Sequence, residues 1–220
     1  DGILTLVLID GTTVQIKCKS DDDIRIDIVV PEEMQKQLET YMPIYRGVNP
    51  PIIEGVYKME PTTTVFCADF GNGGSAPGTV TNTLIMYFKN QNTTQNILDY
   101  EQYEFSVGQS SGTGAYISGN GDNFTAFFNV ESDTHGLHSK QAVVIAGTKT
   151  AVGIANLFYA VGMVEKDADP DHKMMNVGVI RVYKDGDAMS EITTWPASAR
   201  CAGNETSTLN LHSFIRNVTE

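Results

Sequence analysis

The chain divides at residues 43–59, PIYRGVNPPIIEGVYKM, where a helical candidate gives way to a long series of predicted strands. Pro50 and Pro51 fix φ and lack amide donors, and they push Asn49 into extended geometry, so a helix cannot pass through this point. Residues 52–57 then have the composition of a first strand. The double proline therefore marks a structural boundary.

Upstream of the boundary, the sequence predicts a small three-stranded unit. Two β-rich runs, 4–9 and 13–18, flank Asp10 and Gly11, which suit a tight hairpin turn because both tolerate positive φ. Isoleucine at every second position of residues 24–28 predicts a third strand with one apolar face.

One short helix is predicted between this unit and the boundary. Residues 31–33, Pro-Glu-Glu, resemble a first helical turn, because proline is tolerated there and carboxylates face the positive end of the helix dipole. Met34, Leu38 and Tyr41 follow at helical spacing and predict a stripe that packs on a sheet.

Downstream of the boundary, short apolar runs alternate with turn residues, which indicates a mainly β fold. Runs such as 124–130 alternate strictly, while 142–146 is apolar throughout. In the run 98–107, Tyr103 falls on the predicted apolar face and Gln102 on the polar face. We expect an antiparallel meander that closes into a β-barrel, because closure removes exposed edges; a β-sandwich is the alternative.

Three segments follow from these patterns. Residues 1–49 hold the N-terminal strands and the helix, packed on the barrel; residues 50–196 form the barrel; and residues 197–220 are a polar C-terminal tail.

The composition excludes several classes of partner. The 220 residues carry a formal net charge of -12, which repels nucleic acid and anionic membranes. No run reaches the ~18 apolar residues of a membrane-spanning helix. No signal-peptide pattern follows Asp1, so an export signal is expected upstream or not at all. Cys18, Cys67 and Cys201 are too far apart for a CxxC motif or a compact zinc site; one disulfide or three buried thiols remain open.

The boundary segment also resembles a known family. Residues 42–57, MPIYRGVNPPIIEGVY, are similar to the IPIYxGxNPPxIEGxY segment of uncharacterised surface lipoproteins of gut anaerobic bacteria, and residues 147–150 and 179–187 are similar to later parts of that family. The resemblance extends from Met42 to about Trp195. It implies export and a lipid anchor on a cysteine upstream of residue 1, on either side of the outer membrane. A weaker resemblance to the calycins, the lipocalin-like barrels, rests on residues 55–57, where Tyr replaces their tryptophan.

Three short motifs suggest chemistry, and each has a simpler explanation. Ser110 lies in a G-x-S-x-G pattern, but glycines follow where a hydrolase needs a helix, so we predict a turn and no catalytic residue. Asp167, Asp169 and Asp171 have the spacing of a calcium loop, but Gly178 stands at the twelfth position. His135 and His138 lack a third metal ligand nearby in sequence. We therefore expect no metal and no cofactor.

The remaining sequence motifs give weaker evidence of function. Residues 71–73, Gly-Asn-Gly, lack the features of a phosphate loop. Four N-x-S/T sequons would matter only in a eukaryotic secreted protein; their asparagines are Asn92, Asn123, Asn204 and Asn217.

Two non-enzymatic functions remain. The first is an envelope domain that binds a small apolar ligand or docks a surface partner. The second is an adhesion or glycan-binding module, for which exposed faces of Trp195 and of tyrosines are required. A serine hydrolase is the third and least favoured alternative.

Overall fold

The computed structural model describes residues 2–7, 9–18, 21–71, 74–104, 108–134, 137–172 and 174–196. Within these residues, the chain forms two helices and thirteen strands. The helices are α1 (Asp21–Val29) and α2 (Glu32–Tyr41). The strands are β1 (Gly2–Val7), β2 (Thr13–Cys18), β3 (Val48–Asn49), β4 (Gly55–Met59), β5 (Thr62–Cys67), β6 (Leu84–Asn92), β7 (Ile97–Glu104), β8 (Gly108–Asn120), β9 (Asn123–Thr134), β10 (Leu137–Lys149), β11 (Gly153–Lys166), β12 (Ile180–Asp185) and β13 (Met189–Ile192).

The main sheet closes on itself through a ring of 8 strands. Their order is β10, β9, β8, β7, β6, β4, β13 and β11, and antiparallel pairing of β11 with β10 completes the ring. The predicted mainly β, antiparallel fold is confirmed. The ring leaves these strands without a free edge along the paired stretches, as the sequence argument required.

Strand β11 has two partners on the edge that faces away from β10. Residues 153–155 pair with β13, and residues 158–162 pair with β12, whose other edge pairs with β5. The sheet therefore forks at β11. Although β12 and β13 are consecutive in the chain, they do not form a hairpin, and each pairs with β11.

Apolar side chains fill the inside of the ring. Alternate residues of β9, namely Phe124, Ala126, Phe128 and Val130, point inward as predicted and are at most 4% exposed. Aromatic rings continue across the interior from Tyr57 to Phe88, Tyr100 and Phe128, with successive centroids 6.0, 5.4 and 4.6 Å apart. In its described part, the interior is packed with side chains.

The two helices cover part of the outer face of the ring. Met34 and Leu38 of α2 are buried with Phe127 of β9 and Val182 of β12 in a second apolar layer. This confirms the predicted apolar stripe of the helix at residues 31–41, although Pro31 precedes the first turn as its cap.

The predicted third N-terminal strand is wrong, because residues 21–29 form α1, and the fold has two short helices in place of one. Ile26, Val29 and Val30 lie at helical spacing and are buried, whereas Ile24 and Ile28 are 48% and 68% exposed. The carboxylates at residues 21–23 favour a helix start through the dipole. The β1–β2 hairpin is confirmed, with the Asp10 carboxylate accepting a hydrogen bond from the Thr12 amide at 2.9 Å.

The predicted orientation of the β7 side chains is also wrong. Gln102 points into the ring at 3% exposure, and Tyr103 lies on the outer face. The Gln102 side-chain oxygen accepts hydrogen bonds from the hydroxyls of Tyr100 at 2.8 Å and Tyr159 at 3.3 Å. These bonds satisfy the buried amide oxygen and allow a polar residue inside.

The boundary segment runs across the tips of the ring strands as a strap, residues 43–54. The Tyr45 amide donates to Thr125 Oγ1 at 2.8 Å, and the Gly47 amide donates to Ser118 Oγ at 3.0 Å. Gln91 donates to the Pro51 carbonyl at 2.8 Å and accepts from the Ile53 amide at 2.9 Å. The strap therefore exchanges its hydrogen bonds with β6, β8 and β9, which gives the quoted sequence motif a structural role.

Replacing Gly47 with alanine should lower the free energy of unfolding by about 1–3 kcal/mol. Gly47 has φ +141°, and a Cβ there would lie 2.6 Å from the Gly119 carbonyl oxygen. Urea denaturation measures the loss. Gly121→Ala is the control, because Gly121 also has positive φ but an added Cβ would meet nothing within 4 Å. Equal losses in both variants would show that the close approach of the strap contributes nothing.

Candidate binding surface

Three aromatic side chains meet on the outer face of the ring and form what we call the aromatic patch: Tyr87 of β6, Tyr103 of β7, and Trp195 beyond β13. The Trp195 ring lies 5.7 Å from the Tyr87 ring and 6.5 Å from the Tyr103 ring, measured between centroids. All three side chains are partly exposed. Rings of this kind present an apolar face together with a polar group.

The register of the sheet explains why the patch forms. Ile85 pairs with Tyr103 and Tyr87 pairs with Glu101, so Tyr87 and Tyr103 are diagonal neighbours on one face. Beyond β13, the Thr193 amide donates to the Val56 carbonyl at 2.9 Å, which holds the segment carrying Trp195 beside β4. Ile85 on the same face is only 4% exposed, so the patch has an apolar floor.

Charged side chains border the aromatic patch, and several are paired with one another. The Lys89 ammonium lies 5.5 Å from the centre of the Tyr87 ring and forms an ion pair with Glu101. The Asp99 carboxylate accepts a hydrogen bond from Asn90 at 2.8 Å. On the β4 side, Lys58 pairs with Glu60 at 2.7 Å.

The inside of the ring offers a few polar groups in an apolar setting. The Gln141 side-chain oxygen is buried and has no hydrogen-bond partner among the described residues. Five methionines belong to the same inner cluster: Met59, Met86, Met163, Met174 and Met175.

Residues 167–178 contain Asp167, Asp169 and Asp171, which have the spacing of a calcium loop. The same segment also contributes two of those methionines to the inner cluster. Asp169 accepts hydrogen bonds from the Lys166 ammonium and the Met174 amide, both at 2.9 Å, while Asp167 accepts from the His138 amide at 2.8 Å. The two carboxylates thus engage different partners. Within the part of the chain that the structure describes, no three His, Cys, Asp or Glu side chains form a metal-binding group.

The structure brings none of the other predicted motifs to the patch. The backbone of Ser110 lies within the long strand β8, where a turn was predicted, and its side chain lies outside the described part. His138 is exposed, and His135 falls outside the described residues. The described part of the loop at residues 71–73 is Gly71 alone.

The sequon asparagines also lie elsewhere. Asn92 caps the turn after β6 by accepting from the amides of Thr94 and Gln95, both at 3.0 Å. Asn123 accepts from Thr148 Oγ1 at 2.7 Å, and Asn204 and Asn217 are outside the described residues.

A buried ion pair lies at the fork of the sheet. Arg181 of β12 is 2% exposed and donates twice to Asp69, through Nε at 2.9 Å and Nη2 at 2.5 Å. Burial disfavours the Asp69 carboxylate, but the bonds and charge of Arg181 outweigh burial and hold its pKa below the usual value. Cys67 is a free, buried thiol whose pKa is raised to about 11, mainly by burial, so it is a poor nucleophile.

A buried carboxylate, that of Asp185, lies at the end of β12. It is 3% exposed and accepts a hydrogen bond of 2.5 Å from the Ser190 hydroxyl. Burial raises the pKa of Asp185 to about 6.

Comparisons of the chain with protein-family models, curated proteins and solved structures found no match. The similarity to surface lipoproteins and to calycins therefore stays a prediction. Among the described residues, neither helix has the length and apolar character needed to span a bilayer.

Proposed function

We propose that this chain is a non-enzymatic binding domain of the bacterial cell envelope, and that it docks its partner on the aromatic patch. The observation that carries the proposal is the convergence of Tyr87, Tyr103 and Trp195 on the outside of the ring, where all three are partly exposed. Exposed aromatic clusters with a polar rim are typical of binding surfaces. The placement in the envelope rests on the resemblance of residues 42–57 to a segment of surface lipoproteins of gut anaerobic bacteria.

The packed interior supports docking on the outer face over carriage within the ring. Residues from opposite sides of the ring, such as Phe88 and Phe128, are 0% exposed and are joined through Tyr100. A ligand inside would have to displace such side chains, which costs their packing energy. The outer patch is accessible without rearrangement.

Trp195 is the sole tryptophan of the chain, and its fluorescence tests the proposal directly. We expect at least one member of a panel of neutral and anionic oligosaccharides, peptides and phosphatidylcholine vesicles to change Trp195 emission saturably and to protect it from acrylamide. Tyr103→Ala should weaken that binding, whereas Phe70→Ala should not, because Phe70 is 62% exposed outside the patch. A panel that leaves Trp195 unperturbed throughout would refute the proposal.

A small apolar ligand inside the ring is the second candidate. It is favoured by the buried, unpartnered Gln141 oxygen and by Met174 and Met175, since methionine adapts readily to new neighbours. Titration with Nile red distinguishes the two functions. Saturable Nile red binding that Gln141→Leu abolishes and Tyr103→Ala leaves intact would favour the interior site.

The absence of hydrolase chemistry is part of the proposal. Hydrolysis of p-nitrophenyl acetate should be the same for the unmodified chain and for Ser110→Ala. After Ser110 the chain continues as strand β8, and a hydrolase of this kind needs a helix there to build its oxyanion hole.

A further inference from the structure

The rings of the aromatic patch do not stack face to face on one another. Tyr87 and Trp195 are inclined by 43°, and Tyr103 and Trp195 by 71°. By contrast, Tyr41 and Phe66 stack at 3.7 Å and 8°, so each covers a face of the other. The inclined, partly exposed rings of Tyr87 and Trp195 leave faces for a ligand whose own surface can lie flat against them.

The charges around the patch disfavour an anionic ligand. Register places Lys58 and Lys89 on the face of the patch, together with Asp99, Glu101 and Glu191, and Glu60 pairs with Lys58. Carboxylates therefore outnumber ammonium groups. The ammonium of Lys89 is already engaged by Glu101, and that of Lys58 by Glu60. Phosphate, sulfate and uronate groups would meet net repulsion here.

The same carboxylates suit a ligand that carries hydroxyl groups. An ionised carboxylate has about four lone-pair sites, so Asp99 retains acceptor capacity beyond its hydrogen bond from Asn90. The patch is also small, since three aromatic residues cover much less than the ~800 Å² per partner of a stable protein interface. A narrow ligand fits better than a folded protein.

We propose that the aromatic patch binds an uncharged carbohydrate chain, an inference that rests on the docking function proposed above. A pyranose ring presents a face of C–H bonds that the negative face of an aromatic ring attracts, while its hydroxyls project sideways toward acceptors such as Asp99. The inclined rings of Tyr87, Tyr103 and Trp195 would contact successive sugar units.

Calorimetric titration of the full chain with cellohexaose, mannohexaose, maltohexaose and xylohexaose tests the ligand class. We expect at least one of these to bind, and hexagalacturonate to bind more weakly. Trp195→Ala should weaken binding about tenfold, as expected for the loss of a stacked ring. Phe70→Ala should change the affinity less than about twofold, since it is a surface aromatic away from the patch.

Because Trp195→Ala removes a ring that packs against Tyr87 and Tyr103, the variant could lose stability as well as affinity, so a second measurement is made on the unmodified chain. In the unmodified chain, the bound oligosaccharide should reduce acrylamide quenching of Trp195, and Tyr103→Ala should remove this effect. Binding of a peptide at Trp195 with no binding of any neutral hexasaccharide would overturn the carbohydrate inference and leave the docking function standing. Tighter binding of hexagalacturonate would also overturn it. A panel that never perturbs Trp195 would remove both.

Discussion

Replacing Asp69 with alanine is expected to lower the free energy of unfolding by about 3–5 kcal/mol, because it removes the carboxylate that forms an ion pair with the buried Arg181 guanidinium. The Arg181 side chain is 3% exposed, and the Asp69 side chain is 14% exposed. Both hydrogen bonds that the guanidinium donates to Asp69 are lost at once. Urea denaturation at pH 7 measures the effect.

Two control variants separate the charge from other contributions. Asp69→Asn keeps the shape of the side chain and one acceptor oxygen. If it lowers the free energy of unfolding nearly as much as Asp69→Ala does, the effect is due to the charge. Lys36→Ala breaks exposed pairs with Glu32 and Glu33, and should cost less than about 0.5 kcal/mol. An Asp69→Ala loss as small as that of Lys36→Ala would contradict the account of a desolvated pair.

Asp185 should make the protein more stable as the pH falls from 7 toward 4. Its folded pKa is about 6 against an ordinary value of 3.8, so between these values the folded state binds a proton that the unfolded state lacks. Above pH 6, the fold bears the cost of a buried carboxylate, about 3 kcal/mol for a shift of this size. Lowering the pH from about 6 to about 4 removes that cost progressively, by about 1.4 kcal/mol per pH unit.

The matched variant is Asp185→Asn, which keeps the shape and removes the charge. We expect it to raise the free energy of unfolding at pH 7 by about 1–3 kcal/mol, and to abolish a gain of about 1.4 kcal/mol that the unmodified chain shows between pH 7 and pH 5. Asp122→Asn removes one carboxylate at an exposed turn and serves as the control. Parallel pH curves for the unmodified chain and Asp185→Asn would contradict the prediction.

The strands with strict alternation could be predicted from sequence. Phe124, Ala126, Phe128 and Val130 point inward because successive side chains of a strand face opposite sides. In residues 21–29, two patterns compete. The isoleucines alternate, but Ile26, Val29 and Val30 also share a helical face, and packing against the sheet selected the helix.

The binding surface was beyond sequence reasoning for a different reason. Tyr87, Tyr103 and Trp195 belong to three separate segments. The register of β6 against β7 makes the two tyrosines neighbours, and the hydrogen bond from Thr193 to Val56 brings Trp195 beside β4. Arg181 and Asp69 are 112 positions apart and meet through the pairing of β12 with β5. Composition and spacing contain no information on such pairings.

The position of β13 in the ring has a consequence for biosynthesis. β13 lies between β4 and β11, although it is the last of the described strands to leave the ribosome. Until residues 189–192 emerge, the nascent chain must hold those two neighbours apart with backbone groups unpaired. The ring therefore cannot close until all thirteen described strands have been translated.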